Sequence, residues 1–320
     1  DDFLVSRNTF QETIEFIVKD LDAAASLLPI ENTNDNIGRA TKGAALSIKA
    51  RILLYAASDL FNNQSWASGY TNPELIGFTD SKQKEKWEKA KLAAKEVIDL
   101  GVYDWHKKEP DANEDIVNNV SEIFLLKQTK EDIFVRFFNY ESWEGREVYH
   151  PGLHHMPGGY HAHGSNNPVG QMVDAFEMND GSKFDWNNPT HKNNPYGNRE
   201  PRFYASILYD GAKWRERTED VKPIDPVGII ETGYYERPDG SFRGGLDTRQ
   251  SPIEDWNNTQ TGYYQKKYID PTVPFNLGEV TQECPWRYIR YTEILLSYAE
   301  ACNELGEDAE ARNTINMIRK

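Results

Sequence analysis

Apolar residues recur at intervals of three and four near the start of the chain. Phe10, Ile14, Ile17, Leu21 and Ala24 share one face of a 3.6-residue period. The spacing predicts a helix capped by Ser6 or Asn8 and stopped by Pro29. A second stripe, Ala45, Ile48, Ile52, Tyr55 and Ala56, predicts another helix, with Lys42, Lys49 and Arg51 facing outward. Trp87, Ala90, Ala94, Val97 and Ile98 mark a third, with Gly101 as its C-cap. At the end of the chain Tyr291, Ile294, Leu295, Tyr298, Cys302 and Leu305 stripe a fourth, which Gly306 divides from a fifth. Small alanines on these faces allow close helix approach. Paired helices with Trp or Tyr and Ala at recurring positions point to a tetratricopeptide-like scaffold, without a strict period.

Between Trp105 and Trp286 the helical period disappears. "EIFLLKQ" (122–128) and "DIFVRFFNY" (132–140) read as two short strands joined near Thr129–Lys130. Gly, Pro, Asn, Asp and aromatic residues then dominate. Long irregular stretches in ordered domains are usually functional. The expected class is mainly α. A helical-repeat scaffold occupies 1–120, an irregular loop-rich ligand-binding region with a short β-hairpin 121–285, and a returning helical pair 286–320.

Composition narrows the function. The 320 residues carry a net charge of −15, leaving no basic stripe for nucleic acid and no attraction to anionic lipid. Eight Trp and 17 Tyr exceed what a core requires and favour recognition surfaces. Cys284 and Cys302 cannot provide a disulfide framework, and Cys302 falls at a buried helical position. No apolar run approaches a membrane span, and the chain opens directly into helix-like sequence.

The stretch "HPGLHHMPGGYHAHG" (150–164) concentrates His150, His154, His155, His161 and His163. Zinc needs three or four converging ligands. His161 and His163 with His154 or His155 could supply three, but no HExxH or paired-cysteine frame supports them. The loop reads instead as a shaping or recognition element. Sugar rings stack on Trp or Tyr through their apolar faces, and their hydroxyls take donors and acceptors from Asn, Asp, Arg and His. Three clusters have that mixture: Trp143, Arg146 and Tyr149; Trp186, Asn187, Asn188, His191 and Tyr196; and Asp255, Trp256 and Asn257. Trp143, Tyr160 and Trp256 are the leading exposed platforms. Trp87 and Trp286 are expected in the core, Trp186 in a structural role, and Trp66 in either.

Glycoside hydrolysis would need two facing carboxylates. Glu141, Glu144 and Glu147, or Glu254 and Asp255, could be such a set, but with 51 acidic residues they read as solvated charge. There is no GxSxG, P-loop or dinucleotide fingerprint. "RPDGSFRGG" (237–245) reads as a hairpin tip. No cofactor is expected. Oxygen ligands for calcium abound without an EF-hand loop, so a structural calcium stays unassigned.

Five segments, in order, resemble the SusD/RagB nutrient-binding lipoproteins of Bacteroidetes. They are "GRATKGAALSIKARILLYAAS" (38–58), "NPVGQMVDAFEMNDGSKFDW" (167–186), "NREPRFYASILYDG" (198–211), "TGYYQKKYID" (261–270) and "PWRYIRYTEILLSYAEACNELGE" (285–307). Family members begin with a signal peptide and lipidated cysteine and continue past a "RAG"-like sequence. The chain, which ends at "INMIRK", is therefore expected to be an internal portion of a longer protein. The resemblance implies a tetratricopeptide-like helical fold and no catalysis. It also implies a surface-exposed outer-membrane lipoprotein that captures glycans and partners a TonB-dependent, SusC-like transporter. The expected ligand-binding residues are Trp143, Tyr160, Trp256, Arg146, Tyr149, His154, His155, Asn187 and Asp255, with no metal ligands. A protein- or peptide-interaction scaffold docking to the transporter without its own sugar site is the alternative.

Overall fold

The computed structural model describes residues 5–62, 64–138, 154–236, 239–272, 275–276, 279–280 and 284–319. Its helices are α1 (Phe10–Leu27), α2 (Lys42–Ala57), α3 (Asp59–Asn62), α4 (Gln83–Ile98), α5 (Ile116–Leu125), α6 (Gly170–Asp174), α7 (Pro189–Asn193), α8 (Pro201–Ser206), α9 (Tyr291–Glu304) and α10 (Asp308–Arg319). The strands are β1 (Asp132–Arg136), β2 (Ile207–Leu208), β3 (Tyr234–Glu236), β4 (Phe242–Gly244), β5 (Tyr264–Gln265), β6 (Phe275–Asn276), β7 (Glu279–Val280) and β8 (Trp286–Arg290). The class is mainly α. Two compact units form: residues 1–108, 128–136 and 287–320, and residues 109–127 and 137–286.

The first unit is helical. Thr9, rather than Ser6 or Asn8, caps α1 through a reciprocal box: its Oγ1 accepts from Glu12 N at 3.1 Å, and its N–H donates to Glu12 at 2.9 Å. Helix α2 packs between α1 and α4, and α9 packs on α4 and α10. Flanked on both sides, α2 buries Ala44, Ala45, Leu46, Ala50, Ala56 and Ala57 rather than one stripe. Tyr55, expected inward, is 62% exposed. Its bulk would not fit where Ala50 and Ala94, each at most 1% exposed, let α2 and α4 approach. Trp87, Ala90, Ala94 and Val97 are buried on α4 as the period predicts. Lys49 does not simply look outward, because its Nζ bridges Asp22 at 2.6 Å and Glu96 at 3.2 Å, tying α1, α2 and α4 together. Strand β1 pairs with β8, and Arg287 crosses to Asp132 at 2.5 Å. Thr292 and Arg290 both bond the carboxylate of buried Glu131.

The hairpin expected at 122–140 is not formed. "EIFL" ends α5, whose amides at Val117 and Asn118 bond the N-cap Asp115 side chain. A short apolar run has no decisive period, and here the cap and packing on α8 decide for helix.

The second unit has little regular structure. Its two-stranded pairs are β2–β5, β3–β4 and β6–β7, and β3–β4 is the hairpin expected at 237–245. Met156, Tyr160, Ala162, Leu208, Ala212, Ile230, Tyr264 and Ile269 form its main apolar cluster. At the centre lies an ion network. The Arg217 side chain, wholly buried, bonds both oxygens of wholly buried Asp247 at 2.8 Å and Asp225 at 2.8 Å. Burial opposes the guanidinium charge, but the Asp247 and Asp225 contacts outweigh it and hold Arg217 above its ordinary value. Asp225 also accepts from the amides of Val227, Gly228 and Ile229, and Asp247 from Glu231 N. Side chains thus satisfy backbone groups that helices or sheets would otherwise pair.

Candidate functional site

The histidine-rich loop turns inward. Residues Gly158–Tyr160 make a 3₁₀ turn that places Tyr160 beneath the Arg217 guanidinium, 4.2 Å from the ring centroid. The Tyr160 hydroxyl donates to Arg215 O at 2.8 Å. A Cβ on Gly159 would sit 2.4 Å from Asp247 Oδ1 and 2.7 Å from Arg217 Nη1, so only glycine fits there. A Cβ on Gly158 would meet Asn257 O at 2.6 Å. The loop is therefore a plug wedged between the ion network, which requires glycine at 159, and the Asn257–Asn258 backbone and side chain, which require it at 158.

That geometry corrects two expectations. Tyr160 is 1% exposed and cannot present a face to sugar, and burial pushes its phenol well above the ordinary range. His155 is 4% exposed, and burial holds its imidazole down to about 4, with His154 adding to the effect and the Lys267 backbone opposing it. It is a neutral core residue near neutral pH. His154 stays exposed, its ring edge-on to His163 at 5.8 Å, and burial followed by His163 lowers its pKa. Among the described residues no group of three or more His, Cys, Asp or Glu side chains could hold a metal ion.

Next to this plug lies the loop bearing Trp256. Asn258 fastens its base: Nδ2 donates to Glu254 O at 2.7 Å, and Oδ1 accepts from Gly158 N at 3.2 Å and the Tyr264 hydroxyl at 2.9 Å. His161 clasps it from outside. Its Nδ1 lies 3.3 Å from Glu254 Oε1 and its Nε2 2.8 Å from Asp220 Oδ2. His161 reaches both partners from a left-handed backbone, φ 58°, that non-glycine residues seldom adopt. Thr261 and Gln260 tie the far end to Pro168 O and Asn167. Asp255 and Trp256 remain outward, the indole 69% exposed. Glu254 is not the solvated charge expected, because it engages His161 and Asn257. The fixed base and free ring suit a flat apolar ligand face, with Asp255 able to accept from hydroxyls.

The other expected residues fall elsewhere. Trp143, Arg146 and Tyr149 lie outside the described residues. Asn187 is exposed in a turn in which Asp185 Oδ1 accepts from its amide at 2.8 Å. Trp286, expected in the core, is 38% exposed and stacked on Tyr268 at 5.4 Å, since its strand has one open face. Trp66 is 59% exposed on the helical unit. The residues that position Trp256 were not recognisable beforehand. The Asn-Asn pair after Trp256 was a faint signal for Asn258, but nothing local links His161 to Asp220 or Glu254.

The helical unit carries its own feature, a groove of about 680 Å³ between α1 and α4 with α2 as floor. Ile14, Val18, Leu53, Phe78 and Ala93 line it, and Lys49 with Asp22 and Glu96 crosses one part.

Residues 130–320 match the model of the SusD family, and residues 1–54 match a second model described as "Starch-binding associating with outer membrane". The chain belongs to the SusD family. Among solved structures it resembles a SusD-like protein from Bacteroides fragilis NCTC 9343, at 25% identity and TM-score 0.68, over 100% of this chain and 54% of that one. A SusD-like carbohydrate-binding protein from the same organism matches at 19% identity and TM-score 0.69, over 98% of this chain and 51% of that one. Surface glycan-binding protein A from Bacteroides thetaiotaomicron matches at 16% identity and TM-score 0.53, over 97% of this chain and 53% of that one. The chain thus spans about half the length of these structures. No curated protein matches it.

Proposed function

We propose that the chain is the glycan-binding portion of a non-catalytic outer-membrane surface lipoprotein that hands captured oligosaccharide or polysaccharide to a TonB-dependent, SusC-like transporter. Family membership supports the class. The observation that carries the site is the Trp256 indole, 69% exposed on a loop anchored by Asn258 and His161. A loop held in place before binding loses little freedom when a pyranose stacks on the ring it carries. One stacked sugar with a few hydroxyl bonds supports a Kd of about 1 μM or weaker. Glu254 is taken up by His161 and Asn257, so the carboxylates beside Trp256 do not form an open acid–base pair.

Affinity gel electrophoresis of the full-length mature protein across plant, microbial and host polysaccharides tests this. Retardation by one class, weakened in Trp256→Ala and accompanied by no reducing sugar, is the expected result. Absence of retardation on every gel overturns it. In that case the α1–α2–α4 groove, apolar with a charged rim, favours the second reading of a protein-docking scaffold.

A further inference from the structure

We propose that Trp186 forms a second sugar-stacking subsite, built independently of the Trp256 loop. The proposal rests on the glycan-binding reading above but on different residues.

Trp186 is 46% exposed, yet its ring is fixed. Its Nε1 donates to Asp174 Oδ2 at 2.9 Å, at the end of α6. Phe184 meets it edge-on, with centroids 4.9 Å apart and planes at 90°. Phe184 is in turn held between the His191 ring, stacked at 5.5 Å, and the Arg199 guanidinium at 4.3 Å. His191 is itself oriented, its Nδ1 accepting from Asp185 N at 3.1 Å. Arg199 is 3% exposed and donates to three backbone carbonyls, Pro195 O, Val173 O and Phe176 O. A surface indole therefore rests on supports that reach down to a buried cation.

Capping a core does not require this arrangement. A Trp that only stapled its loop to α6 would bury most of its surface, because apolar burial is what would stabilise the staple. Here the indole nitrogen is consumed internally while nearly half the residue stays in water. An indole face is the surface that a pyranose C–H face stacks upon. The adjoining Asn187 and Asn188 are exposed; Asn187 Nδ2 donates to Asp185 Oδ1 at 3.1 Å and Asn188 Oδ1 accepts from Thr190 N at 3.0 Å, and the hydrogen-bonding capacity left on each amide can meet ring hydroxyls. The proposed ligand is a neutral hexose presented along a polysaccharide.

The test uses the full-length protein and whichever soluble polysaccharide retards the wild type. Trp186→Ala is expected to weaken binding about ten-fold, since losing one of several sites on a polymer removes avidity. The residual retardation of Trp256→Ala should disappear in the Trp186→Ala/Trp256→Ala double variant. Asp174→Ala leaves the indole in place but unfixed, and should weaken binding about three-fold with the melting temperature unchanged, a loss of preorganisation alone. Wild-type retardation that Trp186→Ala leaves unaltered overturns the proposal while the glycan-binding reading stands. A fall in melting temperature with unchanged affinity assigns Trp186 a staple role and also overturns it. No retardation of the wild type by any polysaccharide defeats the broader reading first.

Discussion

The helical unit and the irregular unit solve one problem in opposite ways. Every buried peptide group needs a partner. In α1, α2, α4 and α9 the partner is the backbone itself, so the side chains are free to pack, and small ones let the helices close. Ala50, Ala57, Ala94 and Ala301 are all at most 1% exposed. In the irregular unit the partners are side chains. Asp225 alone serves three amides, Asp247 serves Glu231 N, and Arg199 serves three carbonyls. Both units have apolar clusters, but the irregular one depends in addition on buried side chains that pair its backbone. Distributed contact degrades gradually, whereas a hub fails as a whole.

The sharpest break of that contrast is Arg217→Met. It strands Asp247 and Asp225 without their cation, and removing one partner of a buried pair costs about 3–5 kcal/mol. Hydrogen exchange should show protection lost across 207–265 while α2, α4 and α9 keep theirs. Uniform loss in both units would contradict independent support. Next is Leu46→Ala, which opens a cavity beside Ala50 and Ala94 and should cost about 3 kcal/mol, read as a lower urea midpoint with cooperativity retained.

Acidification, compared between wild type and a His155 variant, probes the irregular unit. The His155 pKa lies at about 4 when folded, so the unfolded chain binds the extra proton first as pH falls below about 6.5. Stability contributed by neutral His155 is complete above that pH and is lost as pH falls toward 4. Between pH 7 and 5 the loss should be about 2 kcal/mol, and His155→Asn should flatten that slope. An equal slope in the variant would remove His155 from the account. The smallest effect expected is Lys49→Met. Its pairs with Asp22 and Glu96 are partly exposed and should contribute about 0.5 kcal/mol, diminishing with added salt in a urea titration.

The same contrast explains what could be read in advance. Helical stripes recur every 3.6 residues, so Phe10 through Ala24, Trp87 through Ile98 and Tyr291 through Leu305 announced themselves. Tyr55 was misplaced because a helix flanked on two sides has no single inward stripe. Residues 122–125 were misread because a short apolar run suits strand and helix equally, and the deciding cap, Asp115, lies upstream. The polar hubs leave no local trace. Arg217 meets Asp247 across 30 residues and His161 meets Glu254 across 93, separations that no periodicity encodes. Trp256 was legible as an aromatic beside Asp and Asn, but Tyr160, in equally suggestive surroundings, proved to be core. Composition identifies ring-bearing loops. Which ring faces water depends on where the ion network lies.

The two adjacent glycines over that network have a consequence for how such a surface can diversify. Gly158 and Gly159, with Asn258 and Arg217, carry the attachment of the loops, while Asp255 and Trp256 at the tip face solvent. Substitutions at the tip therefore change the outward surface without disturbing how the loop is moored. The mooring and the tip can thus change separately: outward replacements leave these contacts intact, whereas a side chain added at Gly159 would collide with Asp247 and Arg217.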